Sequence, residues 1–355
     1  MSEKYIRSED GNLSVSYNEV RHACMTGSIH GLLQYLLLFD YETVAHHTCY
    51  FLGYGVKPQV AKHLPAVYFS TKQTGTVLTP SRWVDKIRIR LTKNFKYPFL
   101  RRAKIFAIDL GFVTPLIGHR NYYLLSDGPL GLSQNMNLAS AEYQRQIRKH
   151  KTIQGRLEEL LYGPTAVFAW GNNDQCREFY LTEQNDSAVI GDKPVHIKSL
   201  QEMWKDASDQ QRCFVKKVFE ITDEDIRLLS SRKYMFLTQP MLRDRILTER
   251  EYLDILEQIF SHYDMSQLLL KLHPRDNFNY HRYFPDVAIY DKNVNMQLLV
   301  LLGTQVERAI TICSSSVNSF PENVEVDWFG VEIHPKLKSF FGEMVPPYRK
   351  YNQMS

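Results

Sequence analysis

The sequence lacks the features that mark membrane-spanning and secreted proteins. No apolar stretch approaches the ~20 residues that cross a bilayer. The longest candidate, Leu32 to Phe39, is interrupted by Gln34 and predicts a buried helix. The charged start, Met1 to Lys4, has no apolar core of the kind that signal peptides carry. These absences predict a cytoplasmic protein.

Cysteine and metal-ligand patterns are equally sparse. The five cysteines are scattered, odd in number and without a C-x-x-C pair, which favours free thiols in a reducing compartment. His46, His47 and Cys49 form the most metal-like cluster, but their spacing fits no standard zinc pattern. We therefore expect no metal and no cofactor. The net charge of +4 is too small to imply a nucleic-acid partner without a clustered patch.

The composition allows two globular domains. The chain has 355 residues, 44% of them hydrophobic and 23% charged, and contains no repeat or low-complexity tract. From about residue 233 onward, apolar runs with strand character alternate with helical patterns, and Thr248 to Glu251 form a capping box that opens a helix. The predicted elements there are strands Tyr234–Leu237, Leu268–Leu272, Val287–Tyr290 and Ala309–Ile312, and a helix Met296–Leu302. This alternation predicts an α/β fold with a parallel, doubly wound sheet.

The N-terminal part predicts a second domain of the same class. Ile105 to Leu110 and Tyr122 to Leu125 are typical of strands, and a glycine-containing turn at 26–31 precedes the first helix. Residues 139–161 predict a long, charged helical stretch, and 172–192 predict loops and short hairpins. We place the domains at 1–230 and 231–355. Two Rossmann-like domains facing each other across a cleft are the simplest arrangement.

Two short polar segments follow apolar runs in the C-terminal domain. Leu268–Leu272 leads into His273-Pro274-Arg275-Asp276, and Ala309–Cys313 leads into Ser314-Ser315-Ser316. Because ligands bind outside the carboxyl ends of parallel strands, the two loops on neighbouring strands would face one crevice. Histidine and arginine supply charged donors and serine hydroxyls supply neutral ones, which together suit a phosphate. Each segment alone could equally be an ordinary loop.

Two aspartates are candidates for a general base. Asp127 precedes Gly128 after the strand Tyr122–Leu125, and Asp244 follows the strand Tyr234–Leu237. Either could remove a proton if partial burial raised its pKa towards neutrality. The structural alternatives are an Asp-Gly turn for the first and a surface carboxylate for the second.

A basic stretch from Lys86 to Lys104 holds eight lysines and arginines interleaved with apolar residues. Such a run is usually a solvated face, but it also suits an anionic membrane surface. The sequence thus allows a peripheral location at the inner face of a membrane.

The order of three C-terminal motifs resembles a known family. Phe236-Leu237-Thr238-Gln239-Pro240, then Lys271 to Arg275, then Ser314 to Ser316 resemble the bacterial sialyltransferases of glycosyltransferase family 52, which make lipooligosaccharide and capsular sugars. Ser126-Asp127-Gly128 matches in part the Asp/Glu-Asp/Glu-Gly turn of that family. The resemblance implies a GT-B fold, a CMP-sialic acid donor, and inversion at the anomeric carbon without a metal.

The resemblance also implies roles for particular residues. His273 would contact or protonate the departing CMP phosphate, and Asp244 is the nearest match to the family's base. The implied donor-binding residues are Gly128, Gln239, Pro240, Lys271, Pro274, Arg275, Ser314, Ser315 and Ser316. The chain departs from the pattern at Ser126, where relatives carry an acid, and at 293–297, where relatives have a proline and an acid that contacts the nucleoside.

The expected function is therefore inverting, metal-independent transfer of sialic acid to a hydroxyl of a cell-surface glycan. The expected partners are a nucleotide-sugar donor and a glycan acceptor, and a homodimer is a candidate assembly. Three alternatives stay open: transfer from another nucleotide sugar, a two-Rossmann nucleotide-sugar epimerase or hydrolase, and a non-catalytic protein that docks on membranes.

Overall fold

The computed structural model describes residues 4–53, 55–69, 96–128, 140–184, 191–342 and 350–354. The chain divides into two compact units, Met1–Glu220 and Ile221–Ser355. Each unit is built around its own parallel sheet.

The N-terminal unit contains a small antiparallel pair and a large sheet. The pair is β1 (Tyr5–Arg7) with β2 (Ser14–Ser16). The strands of the large sheet are β3 (His22–Thr26), β4 (Thr48–Leu52), β5 (Ala66–Tyr68), β6 (Lys104–Ala107), β7 (Tyr122–Leu125), β8 (Cys176–Leu181) and β9 (Val195–Ile197). They pair in parallel in the order β5-β4-β3-β6-β7-β8-β9. Parallel pairing requires crossover connections, and helices lie in those between β3 and β4, β4 and β5, β6 and β7, and β7 and β8.

Six of the described helices of this unit lie between its strands in sequence, and two follow the last strand, β9. They are α1 (Ile29–Leu38), α2 (Tyr41–His46), α3 (Pro58–Ala61), α4 (Val113–Ile117), α5 (Ala141–His150), α6 (Ile153–Tyr162), α7 (Leu200–Asp206) and α8 (Asp209–Val218). Short 3₁₀ helices span Pro98–Arg101 and Pro164–Ala166. Side chains of β4 are buried along the whole strand, as expected for a sheet covered on both faces.

A glycine lets the first helix approach the sheet closely. Helix α1 begins after Ser28, whose side chain accepts a hydrogen bond from the Gly31 N–H. A Cβ at Gly31 would lie 2.5 Å from Cδ1 of Ile108, so a larger residue would require the Ile108 side chain to move. Such a glycine fits the turn after the first strand of a Rossmann-like unit.

The C-terminal unit has a six-stranded sheet of the same kind. Its strands are β10 (Tyr234–Leu237), β11 (Leu268–Lys271), β12 (Ala288–Tyr290), β13 (Arg308–Thr311), β14 (Glu325–Trp328) and β15 (Asn352–Gln353). The order is β12-β11-β10-β13-β14-β15, with parallel pairing between neighbours. Relative to the first strand of each sheet, both units share the 3-2-1-4-5-6 order of Rossmann-like folds.

The helices of the C-terminal unit again alternate with the strands. They are α9 (Asp223–Leu229), α10 (Glu249–Phe260), α11 (Tyr280–Tyr283), α12 (Met296–Leu301) and α13 (Pro335–Phe341). Short 3₁₀ helices span Met265–Gln267, Ser315–Ser319 and Val331–Ile333. The predicted capping box is present, since the Thr248 side chain accepts from the Glu251 N–H and the Glu251 carboxylate accepts from the Thr248 N–H.

The predicted α/β class and parallel sheets are confirmed, but three details differ. The units divide between Glu220 and Ile221, before the expected 230/231 boundary, so α9 belongs to the C-terminal unit. The physical reason is that the Asp225 carboxylate on α9 bonds to Lys292 Nζ at 2.5 Å. The predicted helical stretch at 139–161 is divided into two helices, because Thr152 caps α6 and interrupts the run. Strand β8 lies within the segment predicted as loops and hairpins.

Asp225 offers a test of how firmly α9 is joined to the C-terminal unit. Its carboxylate also accepts hydrogen bonds from the Thr222 N–H and hydroxyl at the start of α9. Asp225→Ala removes the carboxylate half of the capping box and the ion pair, so we expect the free energy of unfolding to fall by about 1–3 kcal/mol. Urea denaturation measures it. Asp223→Ala, at an exposed position in the same turn, is the control, and an equal effect of both variants would contradict this role.

Candidate active site

The carboxyl ends of three strands define the candidate site of the C-terminal unit. Strand β10 lies between β11 and β13, and the chain order reverses beside it. Thr238 follows β10, His273 follows β11 and Ser314 follows β13, so all three loops leave the same edge of the sheet. The expectation that the His273 and Ser314 loops follow neighbouring strands is wrong, because β10 separates their strands. They flank the switch point, which is where open α/β sheets bind ligands.

The buried Thr238 hydroxyl joins the loop after β11 to the end of β10. Its Oγ1 accepts a hydrogen bond from the His273 N–H at 2.9 Å. The same side chain bonds to the Asp276 carboxyl, whose Oδ2 accepts from the Tyr280 hydroxyl at 2.8 Å. The Tyr280 hydroxyl in turn lies 2.9 Å from that of Tyr252 on α10. One hydroxyl thereby fixes both ends of the turn that presents His273.

His273 is a neutral hydrogen-bond donor near pH 7. The Arg275 N–H donates to its Nδ1 at 3.1 Å, so the ring proton belongs on Nε2. Burial, together with the charges of Arg275 and Lys271, lowers the pKa of His273 from 6.5 to about 4. The ring therefore offers an Nε2–H to a ligand without carrying a charge. A bound anion would raise this pKa, because it favours the imidazolium.

Each charged side chain next to His273 bonds to a different partner. Arg275 Nη1 donates to Asp244 Oδ1 at 2.9 Å, and both side chains are partly exposed. Lys271 is buried, and its Nζ donates to the carbonyl oxygens of Leu272 at 2.9 Å and Lys292 at 3.2 Å. Arg275 is thus placed at the surface of the site, while Lys271 supports the loop from below.

The serine loop is organised by its own hydrogen bonds. The Ser314 N–H donates to Thr311 Oγ1 at 3.0 Å, and Ser314 Oγ accepts from the Ser316 N–H at 3.3 Å. Ser314 is therefore the cap of the 3₁₀ helix Ser315–Ser319. The side chains of Ser315 and Ser316 are exposed at the carboxyl edge of the sheet. They can meet an oxyanion, while Ser314 shapes the turn.

Gln239 connects the loops after β10 and β13. Its Oε1 accepts from the Cys313 N–H at 3.1 Å, and its Nε2 lies 3.0 Å from Cys313 Sγ. Pro240 is buried beside it. Because both polar atoms of its amide contact Cys313, we assign Gln239 a positioning role.

Asp127 occupies the corresponding edge of the N-terminal sheet, after β7. Burial raises its pKa, and a hydrogen bond from the Ser28 side chain only partly offsets this effect. Ser126 stands where an acid was expected, and its N–H donates to Gln34 Oε1 at 2.9 Å. The Ser126 hydroxyl donates to the Gly128 carbonyl at 3.2 Å, and Gly128 has a φ of 129°, which favours glycine.

Glu183 is a second carboxyl at this edge, and it is not among the residues predicted from the sequence. It follows β8, the strand that pairs with β7, and burial raises its pKa from 4.5 to about 7. The preceding Thr182 hydroxyl lies 3.1 Å from His30 Nε2 on α1. Residues 172–192 are predicted as loops and short hairpins, so a strand of the parallel sheet is not expected there. The available signal is limited to Phe179-Tyr180-Leu181, where two apolar residues lie two positions apart.

The predicted basic stretch lies partly outside the described residues. Of the basic stretch 86–104, only 96–104 are described, and they form the 3₁₀ helix Pro98–Arg101 and the start of β6. No three histidine, cysteine or acidic side chains within the described ranges lie close enough to hold a metal ion. Helices in those ranges are all too short or too polar to span a bilayer. All five cysteines are free thiols.

Comparisons with known proteins identify the same family as the sequence motifs. The sequence model of glycosyltransferase family 52 matches residues 92–337. An uncharacterized protein of Haemophilus influenzae is 30% identical over 175 residues, which are 49% of this chain and 57% of that protein. The chain thus spans little more than half the length of this relative.

Solved structures with a similar fold are bacterial enzymes. The GT-B domain of a sialyltransferase from Photobacterium damselae aligns with a TM-score of 0.52 at 11% identity, covering 90% of this chain and 96% of the other. A 2,6-sialyltransferase from Photobacterium sp. JT-ISH-224, solved with CMP and lactose, gives 0.53 at 12% identity, covering 87% and 71%. These likenesses establish the GT-B fold.

Replacing Arg275 tests the electrostatic description of His273. In Arg275→Gln we expect the pKa of His273 to rise above its native value of about 4, since one neighbouring positive charge is lost. Long-range ¹H–¹⁵N NMR measures both the pKa and the Nε2–H tautomer. Arg243→Gln removes a weaker influence and is the matched control. An Nδ1–H tautomer, or a pKa that does not respond to Arg275, would show the description to be wrong.

The same pKa shift has a consequence for stability. Because the folded-state pKa of His273 lies below 6.5, the unfolded chain binds the proton more readily between about pH 6.5 and pH 4. The contribution of this ring to stability is therefore present above that window and is lost as the pH falls through it.

Proposed function

Because the chain belongs to glycosyltransferase family 52, we propose that this glycosyltransferase moves sialic acid from CMP-sialic acid to a hydroxyl of a cell-surface glycan. The observation that carries the proposal is the set of donors at the switch point of the C-terminal sheet, with the neutral His273 at its centre. The structural relatives that act on sialic acid, one of them holding CMP, support the choice of donor. Lipooligosaccharide or capsular polysaccharide is the proposed acceptor.

The proposed reaction is a single displacement with inversion. The acceptor oxygen forms a bond to the anomeric carbon while the bond from that carbon to the CMP phosphate breaks, and the phosphate leaves with the electron pair. Negative charge develops on the departing phosphate, so donors held in place before the reaction should supply much of the rate enhancement. His273 Nε2–H, the Arg275 guanidinium and the exposed hydroxyls of Ser315 and Ser316 are those donors.

His273 first acts as a hydrogen-bond donor and then as an acid. With a pKa of about 4, it is neutral in the free protein at pH 7. As charge grows on the phosphate, the imidazolium becomes more favourable and the ring can take up a proton from solvent. We propose no metal, because Arg275 and the neutral donors would balance the phosphate charge by themselves.

Asp127 is the better candidate for the base that removes the acceptor proton. Asp244 is engaged by Arg275 at 2.9 Å, and this ion pair favours a role in orienting the guanidinium. Asp127 is largely desolvated, and its raised pKa brings it closer to the pH at which it must accept a proton. We therefore propose Asp127 as the base and Asp244 as a positioning residue.

Nucleotide binding tests the donor class. We expect CMP at 100 times its Kd to stabilise the native protein by about 2.7 kcal/mol, whereas UDP and GDP at equal concentration give little stabilisation. Differential scanning fluorimetry in EDTA measures the shift in Tm. The comparison with His273→Ala shows whether the effect belongs to this site. Stabilisation by UDP alone would remove the sialyl assignment and leave the family assignment standing.

Activity measurements distinguish the two aspartates. Asp127→Asn should lower kcat by about 10²- to 10⁴-fold at unchanged Tm, because the base is lost. Asp244→Asn should mainly raise the KM for donor, because Arg275 loses its partner. CMP release from CMP-sialic acid with and without lactose measures both and also detects hydrolysis of the donor. The reverse pattern would make Asp244 the base, and rapid turnover without acceptor would favour a hydrolase.

A further inference from the structure

A basic pocket lies at the amino ends of β3 and β6 in the N-terminal unit, and we call it the β3–β6 pocket. Its volume is about 490 Å³, which is within the range of small-molecule sites. The strands of this sheet are parallel, so the pocket is at the edge opposite to the one that carries Asp127. It is therefore not part of the edge at which the base is proposed. The residues that line the pocket are Asn18, Val20, Arg21, His22, Arg102 and Lys104.

Contacts with the backbone hold the three cations of the pocket together. The Lys104 N–H donates to the Arg21 carbonyl oxygen at 2.9 Å, and Lys104 lies opposite His22 in the pairing of β3 with β6. The Arg102 guanidinium donates through Nη2 to the carbonyl oxygen of Tyr17. Because arginine has five N–H donors, this contact orients the guanidinium and leaves donors for a ligand.

The positive charge of the pocket has little compensation. All three cations are exposed, and none of them forms an ion pair with another residue that the structure describes. The segments 18–22 and 96–104 together carry five lysines and arginines and one acid, Glu19. Asp40 is the acid whose charge reaches His22, and its carboxylate already caps α2. An anion in the pocket would therefore meet a net positive charge.

His22 adds a group that responds to a bound anion. Its Nδ1 lies 3.1 Å from the Tyr35 hydroxyl, which lies 2.8 Å from Thr48 Oγ1. The Thr48 hydroxyl donates its proton to the Thr43 carbonyl oxygen. The Tyr35 hydroxyl must therefore donate to Thr48, and His22 Nδ1–H donates to Tyr35. Burial and the charge of Lys104 lower the pKa of His22 from 6.5 to about 4, so near pH 7 its Nε2 is an acceptor that protonation would convert to a charged donor.

We propose that the β3–β6 pocket binds a phosphate or pyrophosphate group, either free or carried by a sugar. Arginine pairs with phosphate oxygens in bidentate geometry, and lysine supplies a further point charge. Three cations suit the charge of about −1.5 to −2 on a phosphate group at neutral pH, whereas a single carboxylate would leave most of them unpaired. The proposal does not depend on which sugar the enzyme transfers, because the pocket and Asp127 are at opposite edges of the sheet.

Isothermal titration calorimetry of the full chain with inorganic pyrophosphate and with glucose 6-phosphate tests the proposal. We expect at least one of them to bind and glucose, the neutral control, not to bind. The double variant Arg21→Gln/Lys104→Gln should weaken binding by about tenfold or more, because charge-assisted hydrogen bonds are lost. The control Arg177→Gln/Lys205→Gln removes one exposed arginine and one exposed lysine elsewhere in the same unit and should bind like the native chain. Tighter binding of pyrophosphate would identify a free anion, and tighter binding of glucose 6-phosphate would identify a phosphorylated sugar.

NMR titration of His22 shows where the anion binds. With pyrophosphate the pKa of His22 should rise above about 4, because a nearby anion favours the imidazolium. In the double variant without ligand this pKa should also rise, since both lost cations lower it while Asp40 and His47 are left in place, and that rise shows that the variant is folded. Absence of binding, an equal loss in the control variant, or a rise in the pKa of His273 alone would overturn the proposal.

Discussion

The reversal of strand order beside the first strand of each sheet is the constraint on which the candidate site depends. In the C-terminal unit it places the loops after β11 and β13 on either side of β10. Parallel pairing then brings every loop that follows a strand to the same edge. The Thr238 hydroxyl and the Gln239 amide fix the positions of these loops, since they join the end of β10 to the loops after β11 and β13. The positions of the candidate phosphate-binding residues are therefore a consequence of the topology together with two side-chain contacts.

Burial shifts the two central ionisable groups in opposite directions. It lowers the pKa of His273 and raises that of Asp127, so in both cases the uncharged form is favoured. For a reaction that moves a proton from an acceptor hydroxyl and builds charge on a phosphate, these shifts are suited to a base and to a neutral donor. Glu183, with a pKa of about 7, extends the same pattern at the N-terminal sheet. Its position after β8, next to the strand that precedes Asp127, makes it available to a ligand at that edge.

Much of the C-terminal unit could be predicted from the sequence, because its strands are continuous apolar runs followed by polar turns. Leu268–Lys271 is fully buried and Arg308–Thr311 is mostly buried, and His273 and Ser314 lie in the loops that follow them. Strand β8 could not be recognised as easily, since Arg177 and Glu178 interrupt its apolar positions and half of the strand faces solvent. Because strand β8 is not among the predicted strands, Glu183 at its end is not among the predicted site residues. The ion pair of Asp244 with Arg275 spans 31 residues and leaves no local pattern.

Helix α6 shows why periodicity alone cannot assign the inner side of a helix. Its leucines repeat at helical spacing, which by itself predicts that they are buried. The buried Glu158 reverses this outcome, because a carboxylate that has left water must keep its partners. Lys149 and Gln154 supply them only when α6 is rotated with its polar side inward, and Gly155 permits the close approach to α5. The leucines are thus exposed because this polar contact lies inside the unit.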